Sequence, residues 1–148
     1  MFLPSETFKT VLESTPLVAI DLIVQNSDSQ VLLGKRVNRP AKGFWFTPGG
    51  RILKNETLEQ AFVRLTRNEL NISIDYNLTE FLGVYEHLYT DSIFGEDIST
   101  HYVVLAYRLV LSTPYNLPLD QHSDYLWFNI NDIYQHPLVH ANVKRYFL

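Results

Sequence analysis

The chain has 148 residues, with 12 Lys and Arg against 16 Asp and Glu, for a formal net charge of −4. Hydrophobic residues make up 46% and charged residues 19%, enough apolar surface for a folded core, which excludes a disordered chain. There is no cysteine, so disulfides, thiolate nucleophiles and Cys-ligated zinc are excluded, and the acidic balance excludes a general nucleic-acid binder.

The length suits one domain over residues 1–148, undivided by any repeat, low-complexity tract or Pro/Gly/Ser linker. No run of about 18 apolar residues is present, so no membrane span is expected. The first fifteen residues lack a basic stretch followed by a long apolar one, so they do not read as a signal peptide, and a cytoplasmic protein is expected.

In chain order, residues 5–13 predict a short helix, with Ser5 as N-cap and Phe8, Val11 and Leu12 on one face. Leu17 to Val24 predicts a strand with Asp21 embedded in an apolar run; a buried carboxylate there needs a partner, either a salt bridge or substrate hydroxyls. After a turn at residues 26–29, Val31 to Gly34 continues as a strand and leads into the basic stretch Lys35, Arg36 and Arg39. Phe44, Trp45 and Phe46 predict an aromatic strand that ends at the pair Gly49 and Gly50. The clearest helix begins at Thr57, where Thr57 and Gln60 form a capping box and Leu58, Ala61, Phe62 and Leu65 make one apolar stripe. Strands follow over 81–89, 101–110 and 125–128, and two short helices over 130–134 and 141–147. The order is β-rich with one central helix and flanking helices, a mixed α/β fold of the α+β type rather than a doubly wound parallel sheet.

The chemistry concentrates between Gly49 and Ile72. Glycines turn the backbone sharply and expose a carbonyl, a hard oxygen ligand for Mg²⁺, and Glu69 can supply a carboxylate to the same ion. Arg64 follows Glu56 by two helical turns and can pair with it. The spacing of Gly50, Glu56, Arg64, Glu69 and Ile72 resembles the loop-helix motif of the Nudix hydrolases. Leu65, Thr66, Asn68 and Asn71 depart from that motif, and two of its metal-facing carboxylates are missing at Leu65 and Asn68. One Mg²⁺ per subunit is then the expected limit, and Leu65 also fits an ordinary core position.

Beyond the motif, the segments Trp45-Phe46, Pro48-Gly49-Gly50-Arg51, Thr100-His101-Tyr102 and Asp120-Gln121-His122 resemble the GDP-mannose mannosyl hydrolases, a branch of the Nudix family. The resemblance implies a Nudix fold and hydrolysis of GDP-α-D-mannose, and of GDP-glucose, to GDP and free sugar. It implies that water attacks the anomeric carbon with inversion. It implies Mg²⁺ ligands at the Gly49 carbonyl, Glu69 and Gln121, a general base at His122, and diphosphate neutralisation by Arg36 and Arg51. Asp21, His87 and Tyr102 match positions contacting sugar or phosphate, and Phe2, Leu3 and Phe8 match positions near the nucleotide. It implies a homodimer as well.

Gln121 and His122 are neighbours, and strand neighbours point to opposite faces, so an irregular loop over 120–123 is expected if both serve one site. His101, His136 and His140 read as packing, loop and helix-end residues, and Asp91, Glu96 and Asp97 as a solvated hairpin tip. Two alternatives remain: a pyrophosphohydrolase attacking phosphorus, and a non-catalytic nucleotide-sugar sensor. Residues 35–67 carry eight Lys and Arg against Glu56 and Glu59 alone, so the negative net charge hides a local anion-binding stretch.

Overall fold

The computed structural model describes residues 3–111 and 122–148. The elements run α1 (Ser5–Ser14), β1 (Leu17–Gln25), β2 (Val31–Arg36), β3 (Trp45–Phe46), β4 (Gly49–Arg51), α2 (Leu58–Leu70), β5 (Glu80–Tyr89), β6 (Thr100–Val110), β7 (His122–Phe128), α3 (Ile130–Gln135) and α4 (Ala141–Lys144). Short 3₁₀ turns follow α2 and α4, over Tyr76–Leu78 and Arg145–Phe147. The seven strands form one mixed sheet, the α+β arrangement expected.

Strand β1 is the hub. It runs parallel to β6 along its whole length, and its other edge is shared between β4 at the start and β2 at the end. Strand β2 then turns away to pair with β3 and β7. With strands on both edges and helices above and below, β1 is buried almost throughout, which is why it is nearly continuously apolar. Its side chains alternate: Ile20, Leu22 and Val24 pack with Ala61, Phe62 and Leu65 of α2, while Ile23 packs with Ile133, Val143 and Tyr146 on the other side. Asp21 belongs to that second face.

Helix α2 forms as its sequence predicts. Thr57 accepts from the Gln60 amide at 3.1 Å while the Gln60 side chain accepts from the Thr57 amide at 2.9 Å. The helix ends on Asn71 in the left-handed region (φ 58°), which a short polar side chain tolerates in place of glycine. Thr66 is buried, and its hydroxyl accepts from the Ile74 amide at 3.1 Å, tying the chain after the helix back onto it.

Three local expectations are corrected. Ser5 is the first helical residue and not the cap; Pro4 holds the cap position in an extended conformation with no side-chain cap bond, and its carbonyl accepts from Phe8. The glycine pair does not end the aromatic strand, because Thr47 and Pro48 interrupt it and Gly49–Arg51 forms its own strand on β1. His122 and Ser123 stand in β7 instead of a loop; the irregularity is a bulge within the strand, between the His122–Arg36 and Tyr125–Gly34 pairs, where two steps along β2 oppose three along β7.

Both glycines are required by close approach. A Cβ on Gly49 would lie 2.3 Å from the Ile20 carbonyl oxygen, and one on Gly50 would lie 2.6 Å from the Leu65 Cδ2. The first obstacle is backbone and the second a side-chain tip. Gly49→Ala should therefore lower the thermal midpoint clearly more than Gly50→Ala, overpacking costing roughly 1–3 kcal/mol in general. Equal shifts in a melting experiment would contradict the backbone-contact assignment.

Candidate active site

A cleft opens where β1, β3 and β4 meet the ends of α2, β5 and β6. Asp21, Arg36, Gly49, Glu69, His87 and Tyr102 all line it. A second cleft adjoins it, lined by Leu3 and Phe8 from the N-terminal segment, by Arg51, and by Arg36, Pro40 and Tyr102, which it shares with the first. Nine of the twelve residues singled out by sequence are thus gathered along one continuous groove. Phe2 and Gln121 lie outside the described residues, as does the side chain of His122. The backbone of His122 pairs with Arg36, the residue common to both clefts.

The α2 end of the groove is built by the glycine pair and the helix. Glu69 is buried, and its Oε1 accepts from the Gly49 amide at 3.1 Å. Glu56 and Arg64 pair through two bonds of 2.6 and 2.9 Å. Arg64 also donates to the Arg51 carbonyl at 2.8 Å, and Glu56 accepts from the Leu53 amide at 2.8 Å. Bonding to Arg64 is the main cause holding the Glu56 carboxyl below the usual range. This pair closes the loop between β4 and α2 and so sets the angle at which the helix presents Glu69.

Leu65 is 4% exposed and packs in the α2 core against Gly50, whereas Asn68 is exposed. The two departures from the motif therefore differ: one is a core residue and the other faces solvent. Among the described residues, no three His, Asp or Glu side chains cluster as a metal ion would need. A buried carboxylate beside a backbone turn fits one hard divalent cation that takes its remaining ligands from elsewhere, and not a cluster of ions.

The opposite wall centres on Asp21. Its Oδ2 accepts from Thr47 Oγ1 at 3.0 Å and from the hydroxyl of Tyr146. That hydroxyl also lies 3.2 Å from His87 Nε2. Burial pushes the Asp21 carboxyl up to about 6, against the opposing effects of Tyr146, Thr47 and Arg36. Burial likewise drives His87 down to about 4, helped by the charges of His140 and Arg145, so its ring is neutral at pH 7. The partner that a buried Asp21 demands is thus a pair of hydroxyls. Sequence reasoning missed both: Thr47 sits two residues before Gly49 with no signal of its own, and Tyr146 is 125 residues away from Asp21.

Charge is concentrated where the clefts join. Arg36 is oriented by a 2.8 Å bond from its Nε to the Pro40 carbonyl, and Arg51 lies over the Phe8 ring at 5.0 Å. Phe8 in turn tilts against Phe94. Arg39 reaches Asp91 and Glu96 at 3.8 and 3.7 Å, so the acidic hairpin tip pairs with a cation. His140 caps α4 by accepting from the Asn142 amide, His136 accepts from the Leu138 amide in a turn, and His101 stands second in β6, opposite Leu88.

Comparison with known proteins gives a consistent picture. The profile of the NUDIX domain family matches residues 15–148. The chain is 40% identical over 123 residues to the low-salt glycan biosynthesis protein Agl8 of Haloferax volcanii, spanning 82% of this chain and 76% of that one. It is 40% identical over 70 residues to an ADP-ribose pyrophosphatase of Methanocaldococcus jannaschii, spanning 47% of this chain and 40% of that one. Among solved structures, a MutT protein from Methanosarcina mazei superposes with TM-score 0.73 at 17% identity, covering 90% of this chain and 92% of the other. The NUDIX domain of Shewanella oneidensis NrtR, solved with ADP ribose, superposes with TM-score 0.67 at 23% identity, covering 98% and 90%. No helix among the described residues is long and apolar enough to cross a membrane.

The elevated Asp21 pKa has a stability consequence of definite sign. The folded state favours the protonated acid, so its contribution is largest below pH 4 and is lost as pH rises through about 6. Asp21→Asn, which never ionises, should be more stable than the parent at pH 8 in metal-free buffer, with the gap shrinking at pH 4.5. Thermal melts of both proteins at the two pH values check this; a gap that widens at low pH would contradict it.

Proposed function

The chain belongs to the NUDIX family, and from that premise we propose that it hydrolyses GDP-α-D-mannose, and GDP-glucose, to GDP and the free sugar, with water attacking the anomeric carbon. The observation that carries this reading is the continuity of the two clefts through Arg36, with Glu69 at one end and the Leu3–Phe8 surface at the other. A nucleotide diphosphate sugar has that order of parts: an aromatic base, a doubly anionic bridge, and a polyhydroxyl ring.

In this reading the base and ribose lie toward Leu3 and Phe8, with Phe2 beside them, and the diphosphate lies between Arg36 and Arg51. Both guanidiniums are always charged and are oriented before substrate arrives, Arg36 by a carbonyl and Arg51 by an aromatic face. Fixed cations of this kind stabilise charge that grows on the departing diphosphate, which lowers the barrier instead of merely tightening binding. The sugar lies toward Asp21, His87 and Tyr102, which offer acceptors and a phenol to its hydroxyls. His122 serves as general base; a neutral imidazole can take the proton from attacking water. The Gly49 carbonyl, Glu69 and Gln121 would hold Mg²⁺, which would supply charge neutralisation to the leaving diphosphate. A homodimer accompanies this reading.

The similarity to an ADP-ribose pyrophosphatase supports a second reading, in which water attacks phosphorus to give a nucleoside monophosphate and a sugar phosphate. Leu65 counts against it, because a core leucine occupies a position where attack at phosphorus would draw on a further metal-holding carboxylate. Product analysis separates the readings. With GDP-mannose and Mg²⁺, ³¹P NMR should show GDP alone; GMP with a sugar phosphate would favour the second, and no turnover would favour a sensor. Arg36→Gln should lower kcat about a hundredfold with little change in KM, as loss of one charge-stabilising donor does. A change confined to KM would contradict a role at the leaving group.

A further inference from the structure

Tyr146 joins Asp21 and His87, two side chains of one wall of the cleft, without lining the cleft itself. It stands in the 3₁₀ turn Arg145–Phe147 with only 8% of its surface exposed, inside the core beneath the sheet. Its ring is clamped edge-on by Tyr85 at 4.7 Å, so the hydroxyl has little freedom to relocate. That hydroxyl bonds Asp21 Oδ2 and lies 3.2 Å from His87 Nε2.

A phenol has one proton and can donate it once. With Asp21 ionised, Oδ2 is the stronger acceptor and takes it, as it takes the proton of Thr47. The contact with His87 then requires the imidazole to be the donor, from Nε2–H to the phenol oxygen. Burial keeps the ring neutral, so only one nitrogen carries a proton and Nδ1 is left as an acceptor. An acceptor at that wall takes a hydroxyl and repels a phosphate oxygen.

Building on the nucleotide-sugar reading of the cleft, we propose that Tyr146 is a positioning residue: its hydroxyl fixes His87 with Nε2 protonated and Nδ1 bare, which commits that side chain to a sugar hydroxyl. Asp21 and His87 are thereby set as a pair by a residue that touches neither substrate nor metal. The chain of donors runs His87 to Tyr146 to Asp21, with Thr47 closing the other side of the carboxylate.

The test has two arms that fail independently. In the first, ¹H–¹⁵N long-range correlation spectra of imidazole-labelled protein are recorded at pH 8 for the parent and for Tyr146→Phe, which keeps the ring packing against Tyr85. The parent should show His87 in the Nε2–H form, and Tyr146→Phe should lose that single tautomer. A parent with Nδ1–H, or a variant with an unchanged tautomer, would overturn the proposal whatever the substrate is. In the second arm, Tyr146→Phe should raise the KM for GDP-mannose about tenfold, the scale of one hydrogen bond to the ligand, while inhibition by GDP alone is unchanged. Equal weakening of GDP would show that His87 serves the phosphates and overturn the assignment to the sugar. A parent that ignores GDP-mannose would instead sink the substrate reading, and the spectra would still decide the role of Tyr146.

Discussion

The backbone contact between Gly49 and strand β1 is the constraint on which the rest of the site depends. With no Cβ at Gly49, β4 comes down directly over the Ile20 carbonyl and Asp21, and with none at Gly50, Leu65 of α2 seals the other side. Any side chain at Gly49 would separate the two strands. The close approach brings the C-terminal end of α2 and the middle of β1 to opposite walls of one narrow groove. Glu69 then bonds the Gly49 amide, and the Glu56–Arg64 pair locks the connecting loop. The glycines thus do structural work from which the chemical geometry follows.

Polar groups are distributed unequally along that groove. Cations cluster at the junction of the two clefts, Glu69 stands at one end, and the wall around Asp21 holds a carboxylate and an imidazole with hydroxyls between them. A buried carboxylate is tolerable because two hydroxyl donors replace the water it lost, although their help leaves its pKa well above that of a solvated acid. The second wall is accordingly a place where stability is given up for a polar surface inside the core. Glu69 at the α2 end, with Leu65 committed to packing, fits the proposed reading in which fixed Arg charge carries much of the diphosphate's neutralisation.

Much of this was legible in sequence because it is local. The capping box at Thr57 and Gln60, the Glu56–Arg64 pair and the strand periods depend on neighbours a few residues apart. The placement of Asp21 in an apolar strand announced that a partner was needed. What could not be read was the partner's identity, since Tyr146 reaches Asp21 across almost the whole chain and nothing local to it marks it as a partner. The same holds for the bulge in β7: it is a property of the pairing with β2, and a lone strand sequence carries no register. The orientation of Arg36 by a carbonyl four residues on belongs to the same class, because it depends on how residues 37–40 fold back.

The central claim is that water attacks carbon and the diphosphate leaves intact. Turnover of GDP-mannose in ¹⁸O-enriched water, followed by mass spectrometry of both products, tests it most directly. Attack at carbon puts the label in the sugar and none in GDP. Label in a phosphate group would contradict it.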